Sequence, residues 1–288
     1  MTEVRRLWPD QSGPLDDDAL RDCYAYPAGR TLRVNFVSSV DGAATVDGRS
    51  GGLGGPGDKR IFDLLRAGCD ALLVGANTLR TEGYDALRPD PEWRKANGLP
   101  AYPIMSILSS SLDLDPDQAV FAEAPQPPIV FTVPRAAART APDAVTRTAP
   151  EAATRTAPDT ATRAHPAAAT RAHPAADPGA APADLGAELI AVSDLAGAVA
   201  ALRQRGAANI LCEGGPSLFG QLIAADLVDE LCLTISPRLA GGNAGRIAHG
   251  PPTEAREMAL RHVLTDGNQL FLRYAREQPL VDKAVDDH

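Results

Sequence analysis

The sequence predicts an α/β domain built on a mixed, mostly parallel central sheet of about eight strands with helices on both faces. Three observations carry this expectation. Short β-rich runs alternate with helical patterns along most of the chain, the order a parallel sheet requires. The last two strand-like runs have no convincing helix between them, which suits an antiparallel pair at one side of the sheet. A chain of 288 residues, 44% of them hydrophobic, can bury a core of domain size.

Residues 1–30 read as an N-terminal extension. The first strand is LRVNFVSSV (32–40). In GDKRIFDLLRAG (57–68) the residues Ile61, Leu64, Leu65 and Gly68 share one helix face, and Asp58 sits in the first turn, where the helix dipole favours an acid. Strands follow at 70–75, 103–109 and 128–133. Strand 187–192 leads to a helix at 193–206, with Ser193 as N-cap, Leu195, Val199 and Leu202 as the apolar stripe, and Gly206 as the stop. Strand 208–213 then enters a helix from Pro216 with the stripe Leu218, Phe219, Leu222 and Ile223. Strands 229–239 and 269–276 complete the set, with 240–268 read as loop and 278–288 as a flexible tail.

Between these elements the chain repeats itself. From Arg139 it steps through RTAPDAVT, RTAPEAAT, RTAPDTAT, RAHPAAAT and RAHPAADP, with a proline at the fourth place of each unit. Such a segment holds almost no large apolar side chain to offset its chain entropy, and its prolines break any helix that alanine favours. Residues 136–186 are therefore expected to be a disordered insertion splitting one domain into 31–135 and 187–277. His165 and His173 lie within it without a third ligand, so no metal site is expected.

Charge narrows the partners. The 28 basic and 37 acidic side chains give a net of −9, with no block of like charge to serve as a nucleic-acid or membrane patch. The four cysteines, Cys23, Cys69, Cys212 and Cys232, are too widely spaced for a metal knuckle and read as free thiols. No apolar run has signal-peptide or membrane-spanning length, which points to a cytoplasmic protein.

Three stretches could carry chemistry. In ILCEGGPSLFG (210–220) a strand meets Gly214, Gly215 and a helix start at Pro216. Glycines permit close approach, and the free N–H groups of a helix start form an anion site, although a purely structural turn reads the same way. A Rossmann start is excluded by the missing third glycine, and a Walker loop by the absence of Gly-Lys-Ser/Thr. In NFVSSVDGAATVDGRSGGLGGPGDKR (35–60) a strand ends in Ser38, Ser39 and Asp41, and a glycine-rich stretch follows. That pattern fits either a surface turn or a mobile loop closing over a ligand. LLVGANTLRTEGYDALRP (72–89) places Thr78, Arg80, Glu82 and Arg88 after a strand. Arginine forks suit phosphate, yet from spacing alone solvated arginines account for this pattern better.

Taken as a set, SVDGAATVDGRSGG (39–52), LLRAGCDALLVGANTLRTEGY (64–84) and CEGGPSLFGQLIAADLVDELCLTISPRLAGG (212–242) resemble the reductase of the RibD C-terminal family of riboflavin biosynthesis. The likeness runs from about Thr31 to Arg276, the repeat apart. It implies a three-layer fold like that of dihydrofolate reductase and an NADPH-dependent homodimer. The implied substrate is a ribosylamino-pyrimidine 5-phosphate, reduced at its opened sugar carbon. Gly214, Gly215, Pro216, Ser217 and Leu218 would receive the cofactor diphosphate. Ser39, Thr78 and Glu82 would be further cofactor contacts, with Ser109 and Ser110 at the 2′-phosphate. Asn35, Ser50, Arg66, Arg88 and Glu213 match substrate positions, the two arginines as phosphate ligands. Asp41 and Glu213 are the catalytic candidates, Asp41 to orient the substrate or relay a proton.

Two departures stand out. Asn35 replaces a lysine common in the family, and Gly51 and Gly52 replace a Gln-Trp pair, which changes the charge and wall of the substrate pocket. No zinc deaminase signature accompanies the reductase stretches. The resemblance thus leaves room for dihydrofolate or another heterocycle as substrate, or for an NADPH-binding protein without catalysis.

Overall fold

A computed structural model describes residues 3–133 and 185–277. The octapeptide repeats, His165 and His173, and the tail at 278–288 lie outside the described residues.

The chain runs β1 (Arg5–Trp8), α1 (Asp17–Cys23), β2 (Thr31–Ser39), α2 (Pro56–Gly68), β3 (Ala71–Gly75), α3 (Ala76–Glu82) and α4 (Pro91–Ala96). It continues through β4 (Ile104–Ser109), α5 (Ala119–Ala122), β5 (Ile129–Thr132), β6 (Glu188–Ala191), α6 (Leu195–Gln204) and β7 (Asn209–Cys212). It ends with α7 (Pro216–Ala224), β8 (Glu230–Ser236), β9 (Ala259–Thr265) and β10 (Leu270–Ala275). One sheet holds ten strands in the order β1-β9-β10-β8-β2-β7-β3-β4-β5-β6. Pairing is parallel from β8 to β6 and antiparallel among β8, β10, β9 and β1.

Among the described residues the expected count of about eight strands becomes ten. Strand β1 lies in the segment read as an extension, and β9 lies in the stretch read as loop. Four residues of β1 are too few to show a period. In β9, Arg261 and His262 interrupt the apolar pattern because His262 is buried against the Tyr24 ring rather than exposed. The turn Asp266-Gly267 joining β9 to β10 was the available hairpin signal. The cap of α6 also moves by one residue, since Asp194, not Ser193, accepts the Gly197 N–H at 2.8 Å.

Alternation along the central strands sorts the core into two layers. Leu72 and Val74 join Ile61 and Leu65 of α2 on one face. Leu73, Val34 and Ile210 meet Leu202 of α6 and Leu222 of α7 on the other. Each fully buried leucine contributes about 2 kcal/mol of transfer free energy, so a one-residue slip in β3 would exchange both layers. The N-terminal segment is tied in by charge. Buried Glu230 accepts from Arg33 Nε at 2.6 Å and from Arg273 Nη2 at 2.7 Å, while those arginines also donate to the Tyr24 and Cys23 carbonyls.

Candidate active site

The parallel strands β2, β3, β4 and β7 all end at one edge of the sheet, where open α/β sheets bind ligands. At that edge the Gly75 N–H donates to the Gly214 carbonyl at 2.7 Å, fixing the turn after β7 against the end of β3. Gly214 has φ +93°, and a Cβ on it would lie 2.6 Å from the Phe36 ring. A Cβ on Gly215 would lie 2.4 Å from Thr78 Oγ1. Both glycines are therefore required by close approach, and the Gly214–Gly215 peptide is cis. Gly215 precedes α7 without any side-chain cap, leaving first-turn N–H groups for a ligand. Gly214, Gly215, Pro216, Ser217 and Thr78 thus come together. Leu218 joins through its backbone alone, because its side chain is buried in the α7 layer.

On the opposite face, Glu213 is enclosed. Arg66 of α2 donates to it through Nε at 2.8 Å and Nη2 at 2.7 Å, and the Tyr84 hydroxyl donates at 2.9 Å. The Arg66 guanidinium lies 4.0 Å from the Phe62 ring centroid and 5.1 Å from that of Tyr84. Burial by itself would lower the Arg66 pKa, but the paired Glu213 carboxylate outweighs it and holds the guanidinium above its ordinary value. Burial, reinforced by the Glu213 charge, likewise raises the Tyr84 hydroxyl well above the usual tyrosine range. Two predicted substrate ligands are therefore each other's partners. Asn35 lies mid-strand in β2, directly after Val34, which is paired with Cys212, and is itself paired with Cys232 of β8.

Asp41 joins two loops. Its carboxylate accepts from the Ser39 hydroxyl, from Ala240 N at 3.1 Å and from Gly241 N at 2.8 Å. The Ser39 hydroxyl, then these amides, hold its pKa down at about 2. Glu82 accepts the Ser50 N–H at 2.9 Å, and buried Leu53 receives Gln269 Nε2 on its carbonyl at 3.1 Å. The glycine-rich stretch is accordingly anchored at Ser50 and Leu53. Between the end of β2 and the loop after β8 lies a cavity of about 470 Å³ that includes Ser38, Asp41, Gly242 and Arg246.

Other predicted residues are engaged elsewhere. Ser109 is buried and its hydroxyl accepts the Leu112 N–H at 3.0 Å, closing a turn, while Ser110 is exposed on that turn. Arg88 is exposed and donates to the Glu123 carbonyl at the end of α5. Sequence reasoning assigned no role to Tyr84 or Arg246. Tyr84 stands inside one of the motif stretches but pairs with Glu213 over 129 positions, a relation no local pattern reveals. Arg80, noted only as one of several polar residues, reaches the Asp113 carbonyl at 2.6 Å beside the Ser110 turn.

Solved structures share this fold. A pyrimidine reductase-like protein from Corynebacterium diphtheriae is similar with a TM-score of 0.63 and 23% identity, over 87% of this chain and 93% of that one. RibD from Acinetobacter baumannii gives 0.58 and 17%, over 87% of this chain and 59% of that one. A diaminohydroxyphosphoribosylaminopyrimidine deaminase/5-amino-6-(5-phosphoribosylamino)uracil reductase from Thermotoga maritima gives 0.57 and 16%, over 86% and 57%. No curated protein sequence matches the chain. Residues 30–272 match the RibD C-terminal domain, so the strand-end turn, the Asp41 clamp and the Glu213 pair belong to a member of the RibD C-terminal domain family.

Proposed function

We propose that this chain is an NADPH-dependent reductase acting on a ribosylamino-pyrimidine 5-phosphate. The observation that carries the reading is the bare turn at Gly214 and Gly215, set against Thr78 at the start of an uncapped helix. A Cβ would fill that cradle, so the residues present fit a dinucleotide diphosphate. The family match and the reductase activity in the name of the Thermotoga relative support the reaction class.

In this reading the N–H groups of Gly215, Ser217 and Leu218 and the Thr78 hydroxyl hold the diphosphate. Ser110 and Arg80 stand at the turn after β4, where they suit the 2′-phosphate. Ser109 shapes that turn rather than touching the ligand. When bound, NADPH supplies the hydride that reduces the opened sugar carbon. Glu213, enclosed and with both oxygens taken up, fixes the Arg66 and Tyr84 side chains at the wall of the site and so positions them toward the heterocycle. Asp41 is ionised at neutral pH, which makes it an orienting acceptor rather than a proton donor. Glu82 acts through Ser50 by holding the loop that walls the site. The family reading also carries a cytoplasmic location and a homodimer, the latter checked by sedimentation of the purified chain.

Turnover followed by NADPH absorbance, with the pyrimidine phosphate and dihydrofolate each as substrate, tests the proposal. Consumption with the pyrimidine alone is expected. The engagement of Arg66 and Arg88 favours a second reading, an unphosphorylated heterocycle, and turnover with dihydrofolate alone would establish it over the first. NADPH binding without turnover of either would leave a cofactor-binding protein.

A further inference from the structure

We propose that Arg246 binds the phosphoryl group of the ligand, from the cavity between the end of β2 and the loop after β8. The inference rests on the reductase reading above and deepens it. Family resemblance would place phosphate on Arg66 and Arg88, yet Arg66 is committed to Glu213 and Arg88 is drawn by one N–H to the end of α5. Arg66 gives two N–H groups to Glu213 between two aromatic rings. Arg88 donates to the Glu123 carbonyl. Arg246 lines the cavity and, among the described residues, makes no side-chain hydrogen bond or ion pair.

Its backbone is held on both sides. Ala44 N donates to the Gly245 carbonyl at 2.9 Å, tying the residue before Arg246 to the loop after β2. His249 N donates to the Pro216 carbonyl at 2.9 Å, tying the residues after it to the first turn of α7. Packing at Gly220 is so close that a Cβ there would lie 1.9 Å from the His249 carbonyl oxygen. The arginine therefore springs from a fixed base beside the proposed diphosphate turn, which limits the ordering lost on binding.

The cavity also contains Asp41, whose charge would oppose an anion. Its carboxylate is already taken up by Ser39 and the amides of Ala240 and Gly241, which direct it into the loop. Ser38 adds a hydroxyl, and about 470 Å³ is ample for a ribose phosphate. A planar guanidinium with a free fork is the group suited to a phosphoryl dianion. That anion has two possible sources, the phosphate of the substrate and the diphosphate of the cofactor.

Calorimetric titration of the full chain with ribose 5-phosphate and, separately, with NADPH distinguishes them. For the substrate source, Arg246→Gln weakens ribose 5-phosphate by about tenfold or more, leaves NADPH affinity in place, and Arg246→Lys restores part of the loss. For the cofactor source, the same variant weakens NADPH instead. Equal melting temperatures of variant and wild type exclude a folding defect. Affinities of both probes for Arg246→Gln within about twofold of wild type overturn the inference, and so does loss of ribose 5-phosphate binding on Arg88→Gln but not on Arg246→Gln when NADPH affinity is also unchanged in Arg246→Gln. Wild-type protein that binds NADPH and fails only in the ribose 5-phosphate arm leaves the reductase reading standing; failure to bind either overturns both.

Discussion

Arg66 and Glu213 form a two-pronged ion pair from α2 to the end of β7, with N–O distances of 2.8 and 2.7 Å and side chains 19% and 3% exposed. A buried pair of this kind is strongly destabilising when one partner is removed, because the other charge stays behind without compensation. Glu213→Gln is expected to lower stability by about 3 kcal/mol, read from urea unfolding. The double variant Arg66→Met/Glu213→Gln should lose less than the sum of the two single changes. Additive losses would show that the two residues are not coupled.

At the turn, Gly215 and Thr78 compete for the same space. Gly215→Val is expected to weaken NADPH binding at least about tenfold while the fold persists, since Gly215 has an ordinary φ of −78°. Gly215→Ala, which adds only the Cβ that meets Thr78 Oγ1, should weaken binding less than Gly215→Val. Fluorescence titration with NADPH measures both; unchanged affinity in Gly215→Val would remove the diphosphate from this turn.

Asp41 predicts an acid-sensitive link between loops. Its folded pKa, about 2, lies below the ordinary aspartate value, so the link is complete above pH about 4 and is lost as pH falls through about 2. Asp41→Asn should speed amide hydrogen exchange at Ala240 and Gly241 at neutral pH without changing exchange in β7. Protection equal to that of the wild type would contradict the clamp.

His262 sets a second pH dependence. Burial, then the charges of Arg273, Arg33 and Arg6, lower its pKa to about 3. The unfolded chain takes up a proton near pH 6.5 and the folded chain does not, so stability is present above that value and declines as pH falls toward about 3. At pH 5 the loss should reach about 2 kcal/mol, and His262→Phe should flatten the profile measured by urea unfolding between pH 7 and 5.

The repeat between β5 and β6 gives a further test. Deleting residues 139–178 leaves eleven residues between Val133 and Leu185, enough to span about 36 Å when extended. Strands β5 and β6 are parallel and only four residues long, so that reach permits the return crossing. Melting temperature and turnover are expected to stay close to wild type, and a large loss of either would assign the repeat a packing role.

Local pattern alone determined much of this protein. Alternating strands and helices specified the α/β class, the stripes Leu195-Val199-Leu202 and Leu218-Phe219-Leu222 marked the buried faces of α6 and α7, and the Gly-Gly-Pro turn marked the uncapped start of α7. These features depend on backbone geometry and on neighbours a few positions apart, which a sequence records directly. Tertiary structure decided the rest. Strand β9 owes its place to the burial of His262 against Tyr24, and β1 to a partner strand more than 250 residues away. The site changed most in its charges. Arg66, Tyr84 and Glu213 each carry a group able to bind a ligand, and only the meeting of α2, the α3 exit and β7 makes them satisfy one another. A charged side chain's role depends on which opposite charge lies within a few ångströms, and that distance is set by packing across the sheet rather than by order along the chain.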